Sequence, residues 1–407
     1  MTLIQRRQAR QLVLICSLAY FCSYLTRINY AAVMVEVISS EGVSRVEASA
    51  ALTGLFIFYG AGQLVSGYLG DRLAPQKLVF TGLLVCSVMN LLLPLCSASW
   101  ERTAVWSVNG FAQAMLWPPL VKIISGRFSD NAYKKAVVWV SSGGLLATVF
   151  VYLCAPLIIN VSGWRPVFYV SASAAFGMAF LWRKKYEEIL PKTQPADTVS
   201  PCHEATRPVP MPKGILGMIA LILGAVMLQG MLRDGISSWM PTYLNESFFT
   251  GSAAAIMSSV AIPALAIITN YIVLYINRRL IRNEILCAAA VFSAGFVALI
   301  VLRLAGQGSF ALSAAALTVA AASMNGVNMV LITLLPKYFE RFGNISFMSG
   351  LLNFFVYVGS ALSSFGIAAL AEGYGWPMTV LAWCVIALLG TALCLACVRG
   401  WGRFKHS

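Results

Sequence analysis

The chain has 407 residues, of which 59% are hydrophobic and only 11% charged, with a formal net charge of +14 at pH 7. A typical soluble domain carries about 25% charged residues, so this composition excludes an ordinary water-soluble protein. The excess of positive charge falls between apolar runs and forms no basic face, which argues against a nucleic-acid partner.

A membrane-spanning helix needs about 20 mostly apolar residues. Twelve such runs lie between charged residues and Pro/Gly punctuation, near 11–37, 48–70, 77–98, 103–126, 135–160, 165–183, 214–240, 252–276, 284–304, 310–336, 344–370 and 377–398. The expectation is an all-α integral membrane protein with 12 transmembrane helices.

The first run is too long, and too polar at its centre, for the core of a signal peptide. It carries Tyr20, Tyr24 and Arg27 at i, i+4 and i+7, on one helix face. An arginine facing lipid there would cost several kcal/mol, so this stripe is expected to face a cavity.

After the second run comes Gly67-Tyr68-Leu69-Gly70-Asp71-Arg72, then Pro75-Gln76. Gly67, Asp71 and Arg72 are candidates for gating: glycine allows close helix approach, and Asp71 can pair with basic residues at helix ends. The fourth run contains Trp117-Pro118-Pro119, which is expected to bend or break it. Lys122, about one turn beyond, either adds positive charge to a binding site or snorkels to the interface.

Residues 183–213 hold six prolines (Pro191, Pro195, Pro201, Pro208, Pro210 and Pro212) and read as an irregular linker between six spans and six. The domains expected are 1–184, a linker 185–213, and 214–407. The seventh run carries Arg233 with Asp234 beside it. Successive residues on a helix point about 100° apart, so the two are expected not to pair. The neighbouring Gly230 and Gly235 are expected to thin the helix and leave room for a ligand.

The halves echo each other. Asn109-Gly110 matches Asn325-Gly326, Gly163-Trp164 matches Gly375-Trp376, and Arg27 matches Arg233, in the same order and at nearly the same spacing. Two repeats of six spans with a site between them describe the major facilitator architecture, two pseudo-symmetric six-helix bundles. Of the 29 Lys and Arg, only Arg45, Arg102, Arg165 and Arg303 fall on the outer side if the N-terminus is inside; Arg27, Lys122 and Arg233 lie within spans. That asymmetry puts both termini in the cytoplasm and the protein in the cell membrane. The ten Cys lie mostly in apolar helices, and Cys394-x-x-Cys397 has no partner ligands nearby, so no metal or other cofactor is expected.

Several segments together resemble one family. Tyr24-x-x-Arg27-x-Asn29, Tyr59-Gly60, Asn109 to Pro119, Gly163-Trp164-Arg165, and Leu232 to Gly235 followed by Ser238 to Leu244 are similar to the organophosphate:phosphate antiporters of the major facilitator superfamily. The family includes glycerol-3-phosphate and hexose-6-phosphate exchangers, and the loop 67–72 resembles the superfamily's signature loop. The resemblance implies that Arg27 and Arg233 hold a phosphoryl group, with Tyr20, Tyr24, Tyr59, Asn325 and Tyr357 lining the cavity. It implies exchange of a phosphorylated metabolite for inorganic phosphate by alternating access, in a lipid bilayer, by a monomer and without enzymatic activity.

Two departures are present. The glycerol-3-phosphate carriers have a Lys where this chain has Gln63, and a His near the place of Ser142-Gly143. The alternatives are a carrier for an organic carboxylate and a non-transporting membrane sensor of sugar phosphate.

Overall fold

The computed structural model describes residues 6–125, 127–128, 130–189, 215–305, 308–342 and 345–406, and among them there is no β-strand. The linker expected at 185–213 lies mostly outside the described residues. The helices are α1 (Arg6–Glu41), α2 (Arg45–Arg72), α3 (Pro75–Leu92), α4 (Ser99–Gln113), α5 (Trp117–Ser125), α6 (Asp130–Ser162) and α7 (Arg165–Ile189), then α8 (Ile215–Phe248), α9 (Ser252–Ser258), α10 (Ala261–Arg279), α11 (Glu284–Ala305), α12 (Phe310–Asn328) and α13 (Ile345–His406).

Eight segments among the described residues are apolar and long enough to span a bilayer. The last of them, Met348–Lys405, runs through two of the expected spans, which divide at Gly375, the one residue inside α13 with non-helical backbone angles (φ 76°). The remaining expected spans correspond to α2, α4 with α5, and α7. Each of the twelve apolar runs of the sequence is therefore largely helical among the described residues. Large apolar side chains such as Leu157, Val161, Leu216 and Leu304 stay exposed, as a lipid-facing surface requires.

Prolines set the breaks. Pro118 and Pro119 fall in the first turn of α5, where a missing N–H costs little. The chain just before them tightens, with Met115 and Leu116 donating to Ala112 and Gln113 three residues back. In the second half, α12 passes into a π-helical turn at Met329–Leu334 and then a 3-10 segment, Leu335–Phe342, that contains Pro336. Gly163 and Gly375 precede α7 and the last span with the same φ of 76°, a value that only glycine adopts freely. The repeat read from the sequence thus recurs in backbone geometry.

The helices form two compact units. One comprises Met1–Val33 and Ile57–Glu204, the other Met34–Phe56 and Ala205–Ser407. In the first, Leu12, Cys16, Val79, Leu83, Leu120, Val140 and Trp182 form a core shared by α1, α3, α5, α6 and α7. In the second, Trp239, Leu244, Phe292 and Trp383 are fully buried.

Within a bilayer the hydrophobic effect does not drive helices together, so close packing must. In the second unit, α8 and α13 meet backbone to backbone. A Cβ on Gly230 would lie 2.2 Å from the Val356 carbonyl oxygen, and one on Gly359 only 2.0 Å from that of Met227. Gly235 is equally filled, by Ser363 Oγ. The expectation that these glycines leave room for a ligand is therefore wrong: the facing helix occupies the space.

Two polar clusters tie the ends of the second unit. Arg45, at the start of α2, donates to both carboxylate oxygens of Glu246 on α8, and to the Ala371 carbonyl 2.9 Å away. Trp376 Nε1 donates to the same carboxylate at 2.8 Å. At the other end, buried Glu284 accepts from Tyr338, from Trp401 Nε1 at 2.9 Å, and from Lys405 Nζ at 2.9 Å. Burial, and then the hydrogen bond to the Glu284 carboxylate, raise the pKa of the Tyr338 phenol.

Candidate functional site

In the first unit the site is built on α1, which presents two different faces. Ser23, Thr26 and Asn29 are buried and pinned to neighbouring helices. Asn90 Nδ2 and Asn109 Nδ2 donate to the Thr26 carbonyl at 3.1 and 2.9 Å, and Gln113 Nε2 donates to the Ser23 carbonyl at 2.8 Å. Asn29 Nδ2 donates to Asn90 Oδ1 at 2.7 Å. These amides tie the buried polar face of α1 to α3 and α4 and fix its rotation.

The opposite face carries Tyr20, Tyr24 and Arg27, all only partly buried. The Arg27 guanidinium lies 4.3 Å from the ring centroid of Tyr59 and 5.5 Å from that of Tyr24. Tyr20 and Tyr24 share a hydroxyl contact of 3.2 Å. Stacked aromatic faces stabilise a cation by about 1–2 kcal/mol where water is scarce, without using its N–H donors. Tyr20 also packs on Trp117, whose ring centroid is 4.8 Å away, so the start of α5 braces the stripe. On α6, a Cβ at Gly144 would press on the Tyr20 and Tyr24 rings at 3.0 Å. The structure thus brings together four of the expected residues: Tyr20, Tyr24, Arg27 and Tyr59. Lys122 is exposed in the last turn of α5.

In the second unit Arg233 departs from expectation. Its Nε and Nη2 donate to Asp234 Oδ1 and Oδ2, both at 2.8 Å, and Nη1 donates to Asn328 Oδ1 at 3.1 Å. The long arginine stem curls sideways and overcomes the 100° offset between neighbouring positions. In a low-dielectric setting the Coulomb gain of a bidentate pair far outweighs a bent side chain. Asp234 is held in turn by Ser360, whose Oγ donates to Oδ2 at 2.6 Å. The glycine contact between α8 and α13 places Ser360 there.

Asn325, expected to line the cavity, donates instead to the Ala321 carbonyl of its own helix at 3.0 Å. The amide that reaches Arg233 is Asn328, the last residue of α12 before the π-helical turn. Tyr357 stacks on Phe56 with a centroid separation of 6.4 Å. The side chains of Gly67, Asp71 and Arg72 lie outside the described residues.

Asn328 and Ser360 are functional candidates that the sequence reading missed. Asn328 is one turn beyond Asn325, at the end of α12, and its amide is the one that meets the Arg233 guanidinium. Chemically, the two clusters offer planar guanidinium forks backed by aromatic or amide groups, an arrangement suited to an anion with several oxygens.

The family profile of the Major Facilitator Superfamily matches residues 16–364. The "Glycerol-3-phosphate transporter" of Bacillus subtilis is 24% identical over 415 aligned positions, covering 92% of this chain and 90% of the relative. The "Membrane sensor protein UhpC" of Salmonella typhimurium is 24% identical over 177 positions, 43% of this chain and 40% of the relative. Among solved structures, a bacterial homologue of the human lysosomal transporter Spinster shares the fold, with a TM-score of 0.74 at 13% identity over 98% of this chain and 99% of that one.

Proposed function

We propose, from the premise that the chain belongs to the Major Facilitator Superfamily, that it carries a phosphorylated organic anion across the cell membrane in exchange for inorganic phosphate, by alternating access. The observation that carries this reading is the guanidinium of Arg27, held over the faces of Tyr59 and Tyr24 on the side of α1 away from the buried amides. A cation within an apolar span marks a functional site by default, and its charge suits an anionic ligand. The relationship to a glycerol-3-phosphate transporter supports a phosphorylated substrate.

In this reading Arg27 and Arg233 each donate to the phosphoryl oxygens, and the hydroxyls of Tyr20 and Tyr24 complete the shell. Asp234 acts as an internal competitor: its carboxylate occupies the Arg233 fork with the geometry an incoming anion needs. A monoanionic carboxylate gains little by displacing another carboxylate. A phosphoryl dianion brings twice the charge and a third oxygen, so it displaces Asp234 more readily. The exchange selects phosphate and phosphate monoesters over simple carboxylates.

Pairing with Asp234 also changes the charge balance of the empty protein. Arg233 is already neutralised, so mutual repulsion of two bare guanidinium groups is not what holds the unloaded carrier back. What exchange requires instead is that the dianion release Arg233 from Asp234 before the helices reorient.

The repeats 1–184 and 214–407 supply one arginine each, joined by the linker 185–213, with Lys122 adding positive charge. Both termini face the cytoplasm.

A second reading, a sensor that binds sugar phosphate without moving it, is favoured by the relationship to a membrane sensor protein. Proteoliposomes separate the two. With unlabelled phosphate inside and labelled phosphate outside, a carrier of this type gives counterflow that stops when the lumen is empty. Saturable binding without counterflow would select the sensor. Uptake that follows a pH gradient and ignores internal phosphate would rule out exchange.

A further inference from the structure

Outside the phosphoryl site, the first unit holds a groove of about 900 Å³ between α1 and α6. Its two walls run in the same direction and in register. Arg10 and Lys135 line it near the starts of the two helices; Leu14, Leu18, Trp139 and Leu146 line it further along. The helices are held at this spacing by Gly143, where a Cβ would lie 2.6 Å from the Ser17 carbonyl oxygen. Beyond the groove they touch again through Phe21 and Phe150, with centroids 5.9 Å apart.

The groove is strongly divided by chemistry. Among the described residues, the charged side chains that line it, Arg10 and Lys135, are cations at one end, and none of the lining side chains is acidic. The rest is apolar and open: Leu14 is 60% exposed, Trp139 70% and Leu146 61%. Arg10 and Lys135 lie in the second turns of their helices, so two cations share the end of the groove nearest both helix N-termini, and that end favours an anion. From Arg10 to Phe21 the helix rises about 16 Å, roughly half of the ~30 Å hydrocarbon thickness. The groove therefore spans one leaflet, with its charges at the membrane surface.

We propose that this groove binds one anionic phospholipid, with its phosphate between Arg10 and Lys135 and an acyl chain along Leu14, Trp139 and Leu146. Charge distinguishes the occupant from bulk lipid: a zwitterionic headgroup brings its own cation to the two basic side chains. Length distinguishes it from a soluble phosphate ester, which would leave the apolar part of the groove unused. The positive-inside topology assigns the site to the cytoplasmic leaflet, where anionic lipids attract basic residues.

Trp139 is a built-in reporter. The full-length protein in nanodiscs of phosphatidylcholine is titrated with phosphatidylglycerol brominated in its acyl chains, and separately with brominated phosphatidylcholine. The difference between wild type and Trp139→Phe isolates quenching of this one indole. Half-quenching is expected at a roughly tenfold lower mole fraction of the anionic lipid. The exposed double substitution Arg10→Gln/Lys135→Gln should make the two curves coincide, and Arg10→Lys should keep them apart. Equal quenching by both lipids in the wild type, or a double variant that behaves like the wild type, would overturn the proposal. Relief of quenching by millimolar inorganic phosphate would also overturn it and identify a soluble anion as the occupant.

Discussion

The Arg233–Asp234 pair is the residue-scale feature that most changes how the site works. Adjacent positions on a helix seem a poor arrangement for an ion pair, yet both oxygens are engaged at 2.8 Å and Ser360 adds a third contact. If Asp234 competes with substrate, Asp234→Asn should tighten equilibrium binding of inorganic phosphate by about tenfold, the scale of one charge-assisted hydrogen bond. Weaker binding in the variant would show that Asp234 positions Arg233 instead of opposing the ligand. Arg27 was legible from sequence because an arginine in an apolar span has few explanations and its tyrosines fall at helical spacing. The partner of Arg233 was not, because the reach of a long side chain is not encoded in angular offsets. Asn325 and Asn328 lie on one helix a turn apart, and a single sequence does not show which of the two amides meets Arg233.

At the scale of elements, twelve apolar runs were visible because bilayer thickness sets a minimum length. The interruptions at Pro118-Pro119 and before Pro336 follow from proline's missing N–H. What the glycines do was not visible. Gly230 and Gly359 face each other's helix backbones across α8 and α13, and a single sequence shows only that each is small. Gly359→Ala should therefore lower the stability of the second unit by about 1–3 kcal/mol through overpacking, read as a loss of detergent-resistant monodisperse protein and a lower Tm. A conservative change at Gly177, where nothing lies within 4 Å of an added Cβ, should leave Tm unchanged. The Glu284 cluster joins α11 to the end of α13 through Trp401 and Lys405. Glu284→Ala removes the shared acceptor, strands the buried indole N–H and should lower stability by about 2 kcal/mol. A Tm equal to wild type would show that this end is held by apolar packing alone, chiefly Phe339, Trp401 and Phe404.

For the whole molecule, the repeat seen in the sequence reappears as paired backbone events: a left-handed glycine before α7 and before the last span, and a proline-associated break in the fourth and tenth spans. The two arginines occupy equivalent places in this repeat but different surroundings. Arg27 rests on aromatic faces, whereas Arg233 is held by a carboxylate and an amide. In the proposed carrier, the substrate must displace Asp234 to reach Arg233, whereas the guanidinium of Arg27 stays on its aromatic faces. The central claim is that both guanidinium groups grip one phosphoryl group, and a double-mutant cycle on phosphate binding tests it most directly. Binding of inorganic phosphate to the purified protein is measured by titration calorimetry for wild type, Arg27→Lys, Arg233→Lys and the double variant. Each single change should weaken binding at least tenfold, and the losses should be non-additive by more than about 1 kcal/mol, the signature of two residues sharing one ligand. Additive losses, or single variants that bind phosphate as the wild type does, would contradict the account.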